Sequence, residues 1–215
     1  IEKNDIKVGI LSYTYGTNGM ETAVQEDKLD FMVNYYTDFD RIQEDISRAK
    51  EAGADVVVAC MHWGYEYHRQ PNEEQTMLAD KLIEAGADII FGSHPHVLQP
   101  MERRKVMLED GSEKEAFVIY SLGNFVSNQR ERYRDSGVIV SVEIIKDYDQ
   151  QAISIGKVSY MPTWVYRYYQ GGKAQYRILP VQEFMDGGLK GEEGQRIQAV
   201  WKETTELLGT EEFEI

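Results

Sequence analysis

Three of the four histidines in this chain follow short apolar runs, in Val57-Val58-Ala59-Cys60-Met61-His62 and in Ile89-Ile90-Phe91-Gly92-Ser93-His94-Pro95-His96. Neutral imidazole is the commonest side-chain metal ligand. Three nitrogen donors suit Zn, Mn, Fe or Co, and a catalytic site leaves positions for water and substrate. His94 and His96 stand two residues apart, which in an extended segment puts both rings on one side of the chain. Pro95 between them fixes its own φ and limits the entropy that the loop must lose. The chemistry these residues point to is part of a metal site. The competing reading is that each imidazole only caps its own loop.

The elements that deliver these residues repeat. Glu51-Ala52-Gly53-Ala54-Asp55 leads into the first apolar run and Glu84-Ala85-Gly86-Ala87-Asp88 into the second. Each reads as a helix ending at glycine, a tight turn, and a buried strand with a histidine at its carboxyl end. That end is where ligands bind in open α/β sheets. Ile6 to Tyr13 reads as a strand, and Asp38 to Ala52 as a helix with Ile42, Ile46 and Ala49 at helical spacing. Asn72 and Gln75 form a capping-box pattern at the start of the next helix. Helix–strand–helix–strand order predicts parallel neighbours.

After His96 the pattern changes. Val97–Leu108, Ala116–Leu122, Gly137–Lys146 and Ile153–Pro162 read as strands without intervening helices, predicting an antiparallel or mixed meander. Thr163 to Tyr176 carries Trp164, Tyr166, Tyr168, Tyr169 and Tyr176, read as core and edge packing or as a platform for polymer or sugar. A last helix is expected over 192–208. From Glu183 onward nine acidic residues face three basic ones, a net of about −6, so residues 183–215 read as an acidic helical tail on or beside a domain spanning 1–182.

The 42% apolar and 28% charged composition is that of an ordinary globular protein. A net charge of −14 argues against nucleic acid as partner, because phosphate binding needs clustered Lys and Arg. No apolar run approaches the roughly 18–20 residues of a membrane span. The single cysteine, Cys60, reads as a small buried hydrophobe and excludes an intrachain disulfide. A start at Ile1 that runs almost at once into a strand reads as a start within a longer protein.

His62-Trp63-Gly64-Tyr65-Glu66-Tyr67, Gly92-Ser93-His94-Pro95-His96-Val97-Leu98-Gln99-Pro100 and Tyr120-Ser121-Leu122-Gly123-Asn124-Phe125 resemble, in order and spacing, the bacterial capsule-synthesis proteins of the CapA type. That family is associated with poly-γ-glutamate and is similar to the calcineurin-like metallophosphoesterases. The resemblance implies an α/β fold, part of a four-layer α/β/β/α sandwich with mixed sheets. It implies metal ligation by His62, His94 and His96, and metal-dependent phosphoester hydrolysis as the activity of the intact protein. It also implies Mn, Fe or Zn as cofactor, dinuclear only in that intact protein, and an extracytoplasmic, envelope-associated place in a bacterium. Poly-γ-glutamate or a phosphoester would be the substrate, and a membrane synthase a possible partner.

The Gly-Asp and Asn-Asn-His motifs that the family uses for its other ligands do not occur here, so the chain resembles the C-terminal part of such a domain. Two close divalent ions need a bridging carboxylate, and three histidines bring no negative charge. Asp55 and Asp88 precede their strands and stand at the wrong end. Glu66 is the acid nearest the motif, read either as orienting an imidazole or as an ordinary surface glutamate. Trp63 is expected to cover the pocket or pack beneath the histidine loop, and Asn124 to line the site or serve a turn. His68 reads as a surface residue and Ser121 as a hydrogen-bonding strand end. No catalytic residue is assigned, and the chain alone should be a poor catalyst. The alternative is a non-catalytic scaffold that grips the polymer or a membrane synthase.

Overall fold

The computed structural model describes residues 1–150, 152–210 and 213–214. The chain divides into two compact units, residues 1–64, 72–93 and 102–119 in the first and residues 65–71, 94–101 and 120–215 in the second.

The first unit contains β1 (Glu2–Lys3), β2 (Ile6–Thr14), α1 (Glu26–Met32), α2 (Phe39–Glu51), β3 (Val56–His62), α3 (Glu73–Ala85), β4 (Ile89–Ser93), β5 (Met101–Met107) and β6 (Glu113–Ile119). Its sheet runs β1-β2-β3-β4-β6-β5. The β2, β3, β4 and β6 neighbours are parallel, as the helix–strand alternation requires. Helix α2 buries Ile42 and Ile46 completely. Helix α3 opens with the expected capping box, Asn72 Oδ1 accepting from Gln75 N and Gln75 Oε1 from Asn72 N, and ends at Gly86 with φ 119°.

The repeated Glu-Ala-Gly-Ala-Asp motif has one structural meaning used twice. Asp55 donates its N–H to Lys7 O and accepts Lys7 N–H on its carboxylate at 2.7 Å. Asp88 does the same to Val57, with its carboxylate at 2.8 Å from Val57 N. Each aspartate therefore clips the start of its strand to the preceding parallel strand and fixes the register. In that register Thr14, His62 and Ser93 fall on one rung at the carboxyl edge.

The strands after His96 do not form one meander. β6 inserts into the first sheet parallel to β4, and β5 flanks it at the edge. The Arg103–Glu115 and Lys105–Glu113 pairs step in opposite directions along β5 and β6, as antiparallel neighbours do. Sequence character explains the placement. Ala116, Phe117, Val118 and Ile119 are all fully buried, the continuous apolar run of a central strand, whereas β5 carries the charged residues of an edge.

The second unit holds β7 (Ser136–Asp147), β8 (Ala152–Gln170), β9 (Lys173–Pro180) and α4 (Gly191–Leu208). Here the antiparallel meander is present, with the Gly171-Gly172 turn at positive φ between β8 and β9. Trp164 on β8 packs with Val181 and with Ile197 and Val200 of α4. Beneath that core the buried Asp135 accepts from Trp164 Nε1 and from Arg196. Among the described residues no helix is long and apolar enough to cross a membrane.

Candidate metal centre

The His94-Pro95-His96 segment is not extended. His94 has φ 98° and His96 φ 58°, so the expected same-side geometry of a strand does not apply. A non-glycine residue in the left-handed region costs about 1–3 kcal/mol and persists only where its surroundings over-determine it. Those surroundings lie in the second unit. Tyr67, itself at φ 68°, donates its N–H to Pro95 O at 2.7 Å. The fully buried Gln99 ties the two segments together, its Nε2 donating to His68 O and Gln70 O while its N–H bonds Ser121 O. Leu98 bridges Leu122, which delivers the Gly123-Asn124 turn.

This clamp gathers Glu66, His94 and His96 so that one ligand atom from each lies within 4.8 Å of the others. Nε2 of His96 is 3.9 Å from Glu66 Oε1, and the two imidazole centroids are 6.0 Å apart. Nδ1 of His96 lies 2.9 Å from Asn124 Oδ1. The Asn124 amide has one possible orientation, because its Nδ2 donates to the carbonyl of Arg134 at 2.7 Å and to Gln129 Oε1 at 3.1 Å. Its Oδ1 must then accept, so His96 Nδ1 is the donor, and in the neutral ring the lone pair sits on Nε2, the nitrogen 3.9 Å from Glu66 Oε1. That is the tautomer a metal ligand needs.

His62 belongs to the first unit. Its Nδ1 is 2.9 Å from Thr14 Oγ1, and the Thr14 hydroxyl donates to Gly16 O at 2.9 Å. The single Thr14 proton serves Gly16 O or His62 Nδ1, and where it goes to Gly16 O, Nδ1 donates to Thr14 and Nε2 is the acceptor nitrogen of His62. Tyr15 stacks on the ring with centroids 5.4 Å apart. Trp63 is buried in the same unit, its N–H on Ser93 O. Gly64, at φ 81°, passes so close to the α3 capping box that a Cβ would meet Gln75 Oε1. His68 is exposed and edge-on to Tyr65, and Ser121 accepts from Gly123 N–H.

Sequence reasoning did not single out Thr14, Gln99, Tyr67, Gln129 or Arg134. Tyr67 stacks on His96, and the Glu66 carboxylate accepting from its hydroxyl holds the phenol above its ordinary pKa. Arg134 lies over the Tyr67 ring at 3.4 Å. The one available signal was Arg130-Glu131-Arg132-Tyr133-Arg134, a basic run in a chain of net −14.

Residues 1–129 match the family described as bacterial capsule synthesis protein PGA_cap, well over half of the chain. The chain belongs to that family. Glu66, His62, His94, His96 and Asn124 all fall within the PGA_cap match, and Arg130 to Arg134 fall after it. Two curated relatives of this PGA_cap member are similar to it. The PGA biosynthesis protein CapA of Bacillus subtilis (strain 168) is 47% identical over 95 residues, 44% of this chain and 22% of that protein. The capsule biosynthesis protein CapA of Bacillus anthracis is 36% identical over 140 residues, 63% of this chain and 31% of that protein. The chain thus spans less than a third of the length of either relative. The expected CapA-type family holds, and so does the α/β class with a mixed sheet.

Proposed function

We propose that this chain supplies part of a divalent-metal site of the phosphoesterase type to a protein of capsule or poly-γ-glutamate synthesis. The carrying observation is the group of Glu66, His94 and His96, with His96 oriented through Asn124. Two imidazoles and one carboxylate suit Mn, Fe or Zn. Ligands bonded at about 2.0–2.2 Å around one cation sit about 3–3.5 Å apart, so closure from 4.8 Å asks only for side-chain rotation. A bound cation supplies Lewis-acid polarisation of a phosphoryl oxygen. The chain's own groups hold it: Glu66 brings the negative charge and Asn124 the ring orientation. His62 lies in the first unit, where Thr14 engages its Nδ1.

A single carboxylate does not neutralise two divalent ions, so a dinuclear site and hydrolysis require ligands beyond this set. The same reading places the protein at the extracytoplasmic face of a bacterial envelope, with a phosphoester or the polymer as substrate and a membrane synthase as partner. A non-catalytic scaffold is the second reading. It is favoured by the ladder on β8, where Trp164 and Tyr166 centroids are 5.3 Å apart and Tyr166 and Tyr168 stack at 5.6 Å.

The deciding experiment is metal content per chain by plasma mass spectrometry after reconstitution with Mn or Zn, paired with thermal unfolding. Binding that raises Tm and is lost in Glu66→Gln and in His94→Gln/His96→Gln supports the site. No retained metal and no Tm response would sink it and move the scaffold ahead.

A further inference from the structure

The second unit contains an open cavity of about 470 Å³ walled by Tyr67, Asn128, Gln129, Arg130, Glu131 and Arg134. We infer that this cavity is an oxyanion site, with the Arg134 guanidinium as its forked donor and the Asn128 amide as a second. It deepens the metal reading, because Tyr67 joins this cavity to the Glu66–His94–His96 group, but its own binding step needs no metal.

Arg134 is held in place without being used up. Its side chain is only 26% exposed, and its guanidinium carbon stands over the Tyr67 ring, 3.4 Å from the centroid. Among the described residues its ion-pair partner is Glu131, at 3.5 Å and itself 64% exposed, while the Glu66 carboxylate is taken up by the Tyr67 hydroxyl. Among the described residues the Arg134 side chain donates no hydrogen bond, so its fork of N–H groups remains for a ligand. Stacking fixes the plane of that fork, the geometry in which arginine grips a carboxylate or phosphate through two parallel bonds.

The neighbours are arranged as donors too. Asn128 Oδ1 accepts from Tyr176 Oη at 2.5 Å, which leaves its NH₂ as the group it can offer. Arg130 is wall rather than donor, since its Nη1 and Nη2 bond Val165 O and Ser127 O. Its Nε is buried with no hydrogen-bond partner, and its charge stays in the wall. The charged groups lining the cavity are thus two arginines against Glu131, a local excess of positive charge in a chain of net −14. An acidic protein attracts an anion only through such a local field. Both arginines stand after residue 129, beyond the family match.

The shared ligand chemistry is a carboxylate or a phosphate group, and one titration separates the two sources. Metal-free protein is titrated with inorganic phosphate and, separately, with glutarate, following the backbone amide NMR resonances of residues 128–134 in every variant and the Arg134 Nε–Hε resonance in the wild type. Saturable shifts with at least one anion are expected, with binding weakened about tenfold or more in Arg134→Gln and partly recovered in Arg134→Lys. Tighter glutarate assigns a carboxylate ligand, and tighter phosphate a phosphoryl ligand. His94→Gln/His96→Gln should lose metal but keep this binding, and wild-type protein that retains no metal while its anion binding is intact would refute only the metal reading. Anion binding that appears only with Mn or Zn added, indifferent to Arg134→Gln, would overturn the oxyanion site and leave the metal reading standing. The wild-type titration alone decides if a variant fails to fold, because an Arg134 resonance that neither anion moves also overturns it.

Discussion

Asn124 Oδ1 and His96 Nδ1 meet at 2.9 Å, and that contact decides which ring nitrogen of His96 faces Glu66. Replacing Asn124 by Leu removes the acceptor and lets the imidazole rotate or change tautomer. Loss of such a supporting bond typically lowers metal affinity about 10–100-fold, and that range is expected for Zn or Mn measured by chelator competition. Asn124→Asp keeps an acceptor and should fall between. Apo-protein Tm, followed in parallel, separates this effect from loss of the Asn124 bonds to Gln129 and Arg134.

The turn that carries Asn124 depends on Gly123. It has φ 72°, and a Cβ there would come within 2.7 Å of Ser136 O and 3.0 Å of Gly137 Cα. Gly123→Ala should cost about 2–4 kcal/mol in urea unfolding, combining backbone strain with that clash. Gly111, with φ 82° and open space around it, isolates the strain, so Gly111→Ala should cost about 1–2 kcal/mol. Gly123→Asn should do no better than Ala, because asparagine relieves the φ penalty but not the contact. Equal costs at the two glycines would refute the packing argument.

The legible parts of this fold were those written in local chemistry. The Asn72–Gln75 capping box, the Gly86 stop and the Asp55 and Asp88 strand starts all follow from neighbours a few residues apart. The insertion of β6 between β4 and β5 was not legible, since an apolar run shows that a strand is central but not which sheet receives it. At the candidate site the residue types were legible and the geometry was not. Proline between two histidines suggested an extended pair, yet the Gln99 clamp and the Tyr67 N–H bond hold both histidines at positive φ. The union of Asn124 with His96 spans 28 residues and depends on the Leu98–Leu122 bridge, which no local pattern announces.

Alkaline pH should expose the packing of Tyr160. Burial pushes its pKa from 10.0 up to about 12, and its hydroxyl donates to Gly209 O at 2.7 Å. A raised folded pKa means that the stabilisation is complete below the unfolded value near 10 and is lost as pH climbs toward 12. The loss should reach about 2–3 kcal/mol at the top of that window. Urea midpoints measured from pH 9 to 12 check this, with Tyr160→Phe removing its share of the slope. An unchanged slope in that variant would refute the assignment.

Arg196 ties α4 to the second unit through a buried charge. Its Nη2 and Nε bond both oxygens of Asp135, at 2.6 and 3.1 Å, and its Nη1 reaches Glu203 at 3.1 Å. Asp135 is 5% exposed, and its other side-chain contact is Trp164 Nε1 at 2.9 Å. Arg196→Met keeps most of the apolar stem but strands that carboxylate, which should cost about 3–5 kcal/mol. Asp135→Asn in the same background removes the stranded charge and keeps an acceptor for Trp164, so it should restore part of the loss. Urea unfolding of the two single variants and the double variant gives the coupling directly. If the second substitution adds its full cost to the first, the buried pair is not what holds α4, and the Trp164–Ile197–Val200 core must carry that role alone.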